Sequence, residues 1–201
     1  DSEGNAWFSR YSADMESKTD VQTGEVIDMK LPARAKTDLF SDDERKVFAM
    51  QGENGFSWGA PEGDGPRRPG GDKHGDTVWV PGWWSHDLLK IDIHSRKMTR
   101  IPMPRKDGGP YMAQVDKDHM VWVNFQNSGT FAKFDPKTEQ WTEYMVPSLG
   151  FETHQIGVAD HGGPTQIALA DERNSKIAKV QFRTADELRA LRAEAQQAAS
   201  R

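Results

Sequence analysis

The sequence predicts an all-β fold: a β-propeller with four recognisable blades, a short helical insertion and a C-terminal helix. Three observations predict it. First, tryptophan, aspartate and proline recur together. Trp7–Asp20–Pro32, Trp79–Asp92–Pro104 and Trp122–Asp135–Pro147 share the same two intervals, 13 and then 12 residues. Second, the period fits. Trp79 to Trp122 is 43 residues, and Trp122 to Ala168, which stands in the tryptophan place of a decayed fourth copy, is 46. Repeats of about 40–50 residues made of short strands are propeller blades. Third, each copy alternates about its tryptophan, as in VWV at 121–123, so that one strand face can be buried.

Each copy then reads element by element. A polar loop follows the tryptophan strand (NFQNSG, PGWWSHD), then a second strand (FAKFD, LLKID). A tight turn follows in DPKT or DVQTG, residues that favour turns through φ preference and side-chain bonding to the backbone. A further strand (QWTEYMV, EVIDMKL) ends at proline, which cannot donate to a ladder. The strand before the tryptophan is PYMAQVDKDH in the third copy and THQIGVADHG in the fourth, giving four strands per blade. Asp1 falls just before a tryptophan strand without that preceding strand. The expectation is therefore the C-terminal part of a longer propeller, its four copies forming an arc, part of a larger or incomplete ring.

Trp7 to Trp79 is 72 residues, so an insertion lies between them, at about 33–76. Ser41 and Glu44 form a capping box before an apolar patch, which predicts a short helix over about 42–50. Phe40, Val47, Phe48, Phe56 and Trp58 in this segment need a surface to cover. GAPEGDGPRRPGGDKHGD at 59–76 reads as an exposed loop, outside the blades. The blades thus occupy 1–183, and 184–201 form a helix and tail. Thr184 and Glu187 make another capping box, and Leu188 and Leu191 fall on one face of an Ala-rich run. If ordered, that helix is expected to dock through this stripe.

Composition narrows the function classes. Net charge is −5 and evenly spread over 201 residues, giving no electrostatic case for nucleic acid or an anionic membrane. No apolar run approaches the roughly 18 residues of a membrane span. Zero cysteines exclude disulfides, Cys-ligated zinc, haem attachment through CxxCH and thiol catalysis.

GPYMAQVDKDHMVWVNFQNSGTFAKFDPKTEQWTEYMVP at 109–147 resembles the repeat of the virginiamycin B lyase (streptogramin lyase) family. That repeat has the form P-x-G-I-x-x-D-x-x-G-x-x-W-F-T-E…I-x-R-x-D-P-x-T-G-x-x-x-E-Y-x-L-P. The resemblance covers about three quarters of the chain. It implies a propeller, an exported or periplasmic location and, if activity is kept, a magnesium-dependent lyase opening a cyclic ester-type substrate. In that family a Glu-x-His pair and a second carboxylate at the W-F-T-E position bind the metal and perform the acid–base work. Glu152-Thr153-His154 matches the pair, and Asp171 or Glu172 lies near the second carboxylate. The resemblance thus makes Glu152 and His154 catalytic candidates and Glu152 and Glu172 metal candidates. The W-F-T-E glutamate is missing elsewhere: the copies read WFSR, WVPG and WVNF.

Other polar clusters have plainer readings. Asp92 of Asp92-Ile93-His94 is the repeat aspartate and is expected to cap its turn. Asp116, Asp118 and His119 read as a hairpin turn. Adjacent tryptophans cannot both face one core. One of Trp83 and Trp84 is therefore expected to contact a partner, a ligand or the insertion; the alternative is packing between neighbouring blades. The function expected is a non-catalytic binding or scaffold subunit, without cofactor. It would meet other protein subunits through Trp83, Trp84, Leu188 and Leu191. The metal-dependent lyase is the alternative.

Overall fold

The computed structural model describes residues 1–34, 63–106 and 108–199, with positions 41, 43, 46 and 50 between them. Positions 43, 46 and 50 of the helix expected over 42–50 are helical, and the rest of that helix, with Phe40, Val47, Phe48, Phe56 and Trp58, lies outside the described residues.

Four antiparallel sheets follow one another along the chain. The first holds β1 (Ala6–Arg10), β2 (Met15–Thr19) and β3 (Val26–Lys30). The second holds β4 (Gly70–Gly71), β5 (Thr77–Pro81), β6 (Asp87–Asp92) and β7 (Met98–Pro102). The third holds β8 (Pro110–Val115), β9 (Val121–Phe125), β10 (Thr130–Asp135) and β11 (Gln140–Met145). The fourth holds β12 (Thr153–Ala159), β13 (Gln166–Asp171) and β14 (Lys176–Gln181), and is followed by helix α1 (Ala185–Ala199). The strands β4, β8 and β12 adjoin one another and are innermost. Two blades have the expected four strands. Among the described residues the first has no inner strand, as expected, and the fourth has no outer one, which corrects the expectation of four strands for that blade alone.

Strand alternation explains how the blades pack. In β9, Val121, Val123 and Phe125 face the second blade with Trp79 and Leu88, whereas Trp122 faces the fourth with Ile156, Ile167 and Leu169. Val78 and Val80 face the first blade with Leu31 and Trp7, while Trp79 faces the third. Each repeat tryptophan therefore turns toward the following blade. Ala168 is exposed and faces no further sheet among the described residues, so nothing there requires an indole. Trp79 and Trp122 are 1% and 3% exposed, and Trp7 is partly buried, so all three indoles are largely covered.

A lysine stands opposite every one of these positions. Trp7 pairs across its sheet with Lys18, Trp79 with Lys90, Trp122 with Lys133, and Ala168 with Lys179. The three ammonium groups lie 5.9, 5.6 and 5.8 Å from the indole centroids, within cation–π reach. The repeat aspartates cap their turns as expected. Asp20 accepts the N–H of Thr23, Asp92 that of Ser95, and Asp135 that of Lys137. Those bonds to the charged form hold all three carboxyls below the usual range.

The Gly/Pro-rich stretch read as an exposed loop is, from residue 63, part of the barrel of blades. Asp64, Gly70 and Asp72 are buried, and Gly70–Gly71 form the innermost strand of the second blade. A Cβ on Gly70 would meet the Ala113 carbonyl oxygen at 2.5 Å, so only glycine lets this strand approach β8. Arg100 anchors the segment with a bidentate pair to Asp64, at 2.6 and 2.9 Å, and also donates to the Pro32 carbonyl. Helix α1 carries the expected capping box, the Thr184 N–H donating to Glu187 at 2.7 Å and the Glu187 N–H to Thr184 at 3.2 Å. It has no buried residue, and Leu188 and Leu191 are 42% and 40% exposed. The stripe is not docked on these blades. No helix among the described residues is long and apolar enough to cross a membrane.

Candidate functional site

At one end of the propeller the inner strands begin beside the ends of the tryptophan strands. Pro66 bridges Gly82, Pro110 pairs with Phe125, and Thr153 pairs with Asp171. The register slips just after Pro110 and just after Thr153. Tyr111 and His154 are the residues at these two bulges, and Arg67 follows Pro66 at the same place in the second blade. Bulges re-aim side chains beside sites. Here they gather one side chain from each of three blades: Arg67 lies 4.8 Å over the Tyr111 ring, and the His154 ring lies 4.4 Å from Tyr111.

The catalytic and metal candidates sit on the fourth-blade side of this array. His154 Nδ1 is 3.4 Å from Glu172 Oε2, and Gln126 Nε2 donates to Glu172 Oε1 at 2.7 Å. Glu152 turns instead to Arg173, 2.7 Å away. Its backbone ties the turn together: the Glu172 N–H donates to its carbonyl and its own N–H donates to Asp171. Asp171 occupies the fourth-copy position of the W-F-T-E glutamate, three residues past Ala168. It also accepts from the N–H groups of Arg173 and Asn174 and from the Asn174 amide. Desolvation opposes ionisation of this carboxyl, yet those bonds prevail and its pKa is lowered. The equivalent places in the other copies hold Arg10, Gly82 and Phe125. Among the described residues no three His, Asp or Glu side chains come together as a ligand shell. The donor set therefore does not fit a divalent cation held by Glu152 and Glu172 together.

Trp83 and Trp84 lie in the β5–β6 turn, not in a strand. Trp83 meets Tyr111 edge-on at 5.9 Å and lies against Gly109. Trp84 meets Trp83 at 6.3 Å and packs over Gly65 beside Tyr11. The two indoles thus reach both neighbouring blades. Arg67 also lies 4.0 Å from the Tyr11 ring centroid and 5.1 Å from that of Trp83, enclosed by aromatic faces of three blades. Sequence reasoning reached His154 by resemblance and missed Arg67, Tyr111 and Tyr11. Arg67, Tyr111 and His154 stand at unequal distances before Trp79, Trp122 and Ala168, because the intervening hairpins differ in length. No fixed interval marks them.

No family model matches the sequence, and no curated protein matches it. Solved structures do. A streptogramin B lyase aligns with TM-score 0.61 at 15% identity, over 92% of this chain and 53% of that one. A catalytically inactive virginiamycin B lyase from Staphylococcus aureus with quinupristin aligns with TM-score 0.59 at 14% identity, over 91% and 54%. The periplasmic gluconolactonase of Pseudomonas aeruginosa aligns with TM-score 0.51 at 10% identity, over 90% and 54%. The chain has a virginiamycin B lyase-like β-propeller fold and spans about half the length of the structures it matches.

Proposed function

We propose that this chain is a non-catalytic propeller that binds other protein subunits in an exported or periplasmic assembly. One observation carries the reading. The carboxylate positions that the lyase repeat would supply are Arg10, Gly82 and Phe125, and the acid that remains, Asp171, is occupied as a turn cap. Glu152 is likewise engaged by Arg173. The exposed stripe of Leu188 and Leu191 on α1 offers a contact surface, since an amphipathic helix with nothing beneath it among the described residues gains by covering its apolar face. The location rests on the family resemblance and on the periplasmic fold relative.

A second reading keeps one specific support. His154 and Glu172 form an imidazole–carboxylate pair beside Tyr111, an arrangement suited to moving a proton. In that reading the chain is a lyase opening a cyclic ester-type substrate. The two readings separate in one assay. The purified chain is incubated with quinupristin and Mg²⁺, and ring opening is followed by mass spectrometry. No turnover is expected. Turnover that vanishes in His154→Ala would overturn the binding role in favour of the lyase.

A further inference from the structure

We propose that the cleft between the first and second blades binds a small organic carboxylate with a flat apolar body. This goes beyond the scaffold reading and holds whether or not the chain is a lyase. The cleft measures about 290 Å³ and is lined by Trp7, Ser9, Tyr11, Arg67, Arg68 and Tyr111 among others. That is close to the lower limit of small-ligand sites, of order 300 Å³.

Two guanidinium groups reach its wall, and among the described residues neither has a carboxylate partner. Arg67 lies between aromatic rings, and its Nε is buried with no acceptor. Arg68 is exposed, with its guanidinium 5.2 Å from the Tyr111 centroid. Both guanidinium groups are thus crowded around the one Tyr111 ring without a counter-ion among the described residues, and a carboxylate bound beside that ring would offset their like charge. Guanidinium forks match carboxylate geometry with two parallel N–H···O bonds, better than an ammonium could.

The remaining lining selects the body of the ligand. Trp7, Phe8, Pro66 and Pro69 are flat or rigid apolar surfaces. They have little side-chain entropy to lose on binding a planar group. Acids around the cleft are already committed: Asp1 accepts from the Trp7 indole N–H, and Asp14 from the N–H groups of Asp64 and Gly65. Glu16 bonds Ser9, and Glu172 is held by His154 and Gln126 beyond the Tyr111 ring. Ser9 in turn donates to the Arg67 carbonyl, which fixes the segment carrying both arginines against β1. The partly exposed face of Trp7 that the core leaves open is one wall of this cleft.

The competing account is that the arginines merely brace three blades together. Calorimetric titration with benzoate separates the two. Benzoate should bind, and its neutral isostere benzamide should not. Arg68→Gln, an exposed change that leaves the Arg67 stack in place, should weaken benzoate binding about tenfold, the worth of one charge-assisted pair. Its circular dichroism and melting temperature should match those of the unaltered chain. Arg67→Gln should weaken binding at least as much. Binding of benzamide equal to benzoate, an Arg68→Gln affinity unchanged, or no benzoate heat at about 10 mM would overturn the proposal. Inorganic phosphate displacing benzoate at equal concentration would overturn the carboxylate assignment and leave a general anion patch.

Discussion

Glu16 is fully buried, and among the described residues no basic side chain pairs with it. Its Oε2 lies 2.7 Å from the Ser9 hydroxyl, which also reaches the Arg67 carbonyl. One hydroxyl proton cannot serve both oxygens. A protonated Glu16 resolves this by donating to Ser9, which donates onward to Arg67. Burial pushes the Glu16 pKa up to about 8 from 4.5. The raised value fixes the sign. The folded chain keeps the proton while the unfolded chain loses it above pH 4.5, so stability present at lower pH is lost as pH rises toward about 8. Each unit of that displacement is worth about 1.4 kcal/mol. Glu16→Gln keeps a neutral donor at the same place. It should raise stability toward urea near pH 8 and leave it nearly unchanged near pH 4.5. Equal effects at both pH values would mean that Glu16 is ionised in the fold.

The turns follow a rule of their own. Four residues after Asp20, Asp92 and Asp135 the backbone is left-handed, at Gly24 (φ 73°), Arg96 (φ 60°) and Glu139 (φ 56°). Only the first copy keeps the residue with no Cβ to strain. Glu139→Gly should therefore stabilise the chain by up to about 1 kcal/mol, the strain removed less the freedom glycine gives the unfolded state. Chemical denaturation measures it, and a loss of stability would show that Glu139 supplies a contact worth more than the strain. Helix α1 is the opposite kind of element, well capped and unburied. Deleting residues 184–201 should leave the melting temperature of the blades unchanged, since no residue of the helix is covered by them. These hairpins and the helix were legible because turn chemistry and capping boxes are local. Strand β4 was not. A two-residue strand of glycine has no propensity to show, and it forms only because β8 lies too close for any side chain at Gly70.

Across the whole molecule the blades are not equivalent. The second and third are covered on both faces by the core clusters. The first and fourth have one such face each among the described residues, and no cluster joins them to each other. Stability in stacked repeats is close to a sum of repeat and neighbour terms. Amide exchange should accordingly be slowest in β5, β6, β9 and β10 and faster in β2 and β13, read by mass spectrometry after deuterium labelling. Uniform protection across the four sheets would indicate a closed cooperative unit instead. The expectation of an arc agrees with these one-sided end blades. The number and order of blades could be read because the intervals within each Trp–Asp–Pro set, 13 and then 12 residues, are constant. The array of Arg67, Tyr111 and His154 could not, because its members come together only when three blades pack around one axis.

The lysine opposite each tryptophan has one more consequence, and it is magnetic. An indole shields nuclei held over its face. Reductive methylation with ¹³C would place reporter methyl groups on Lys18, Lys90 and Lys133, each over a ring in its own blade, while Lys179 faces Ala168 and serves as the unshifted reference. The chain thus carries a separate spectroscopic gauge in each of its first three blades. As urea is raised, each resonance should move toward the Lys179 position when its own blade opens, giving the order in which the blades come apart from one set of spectra.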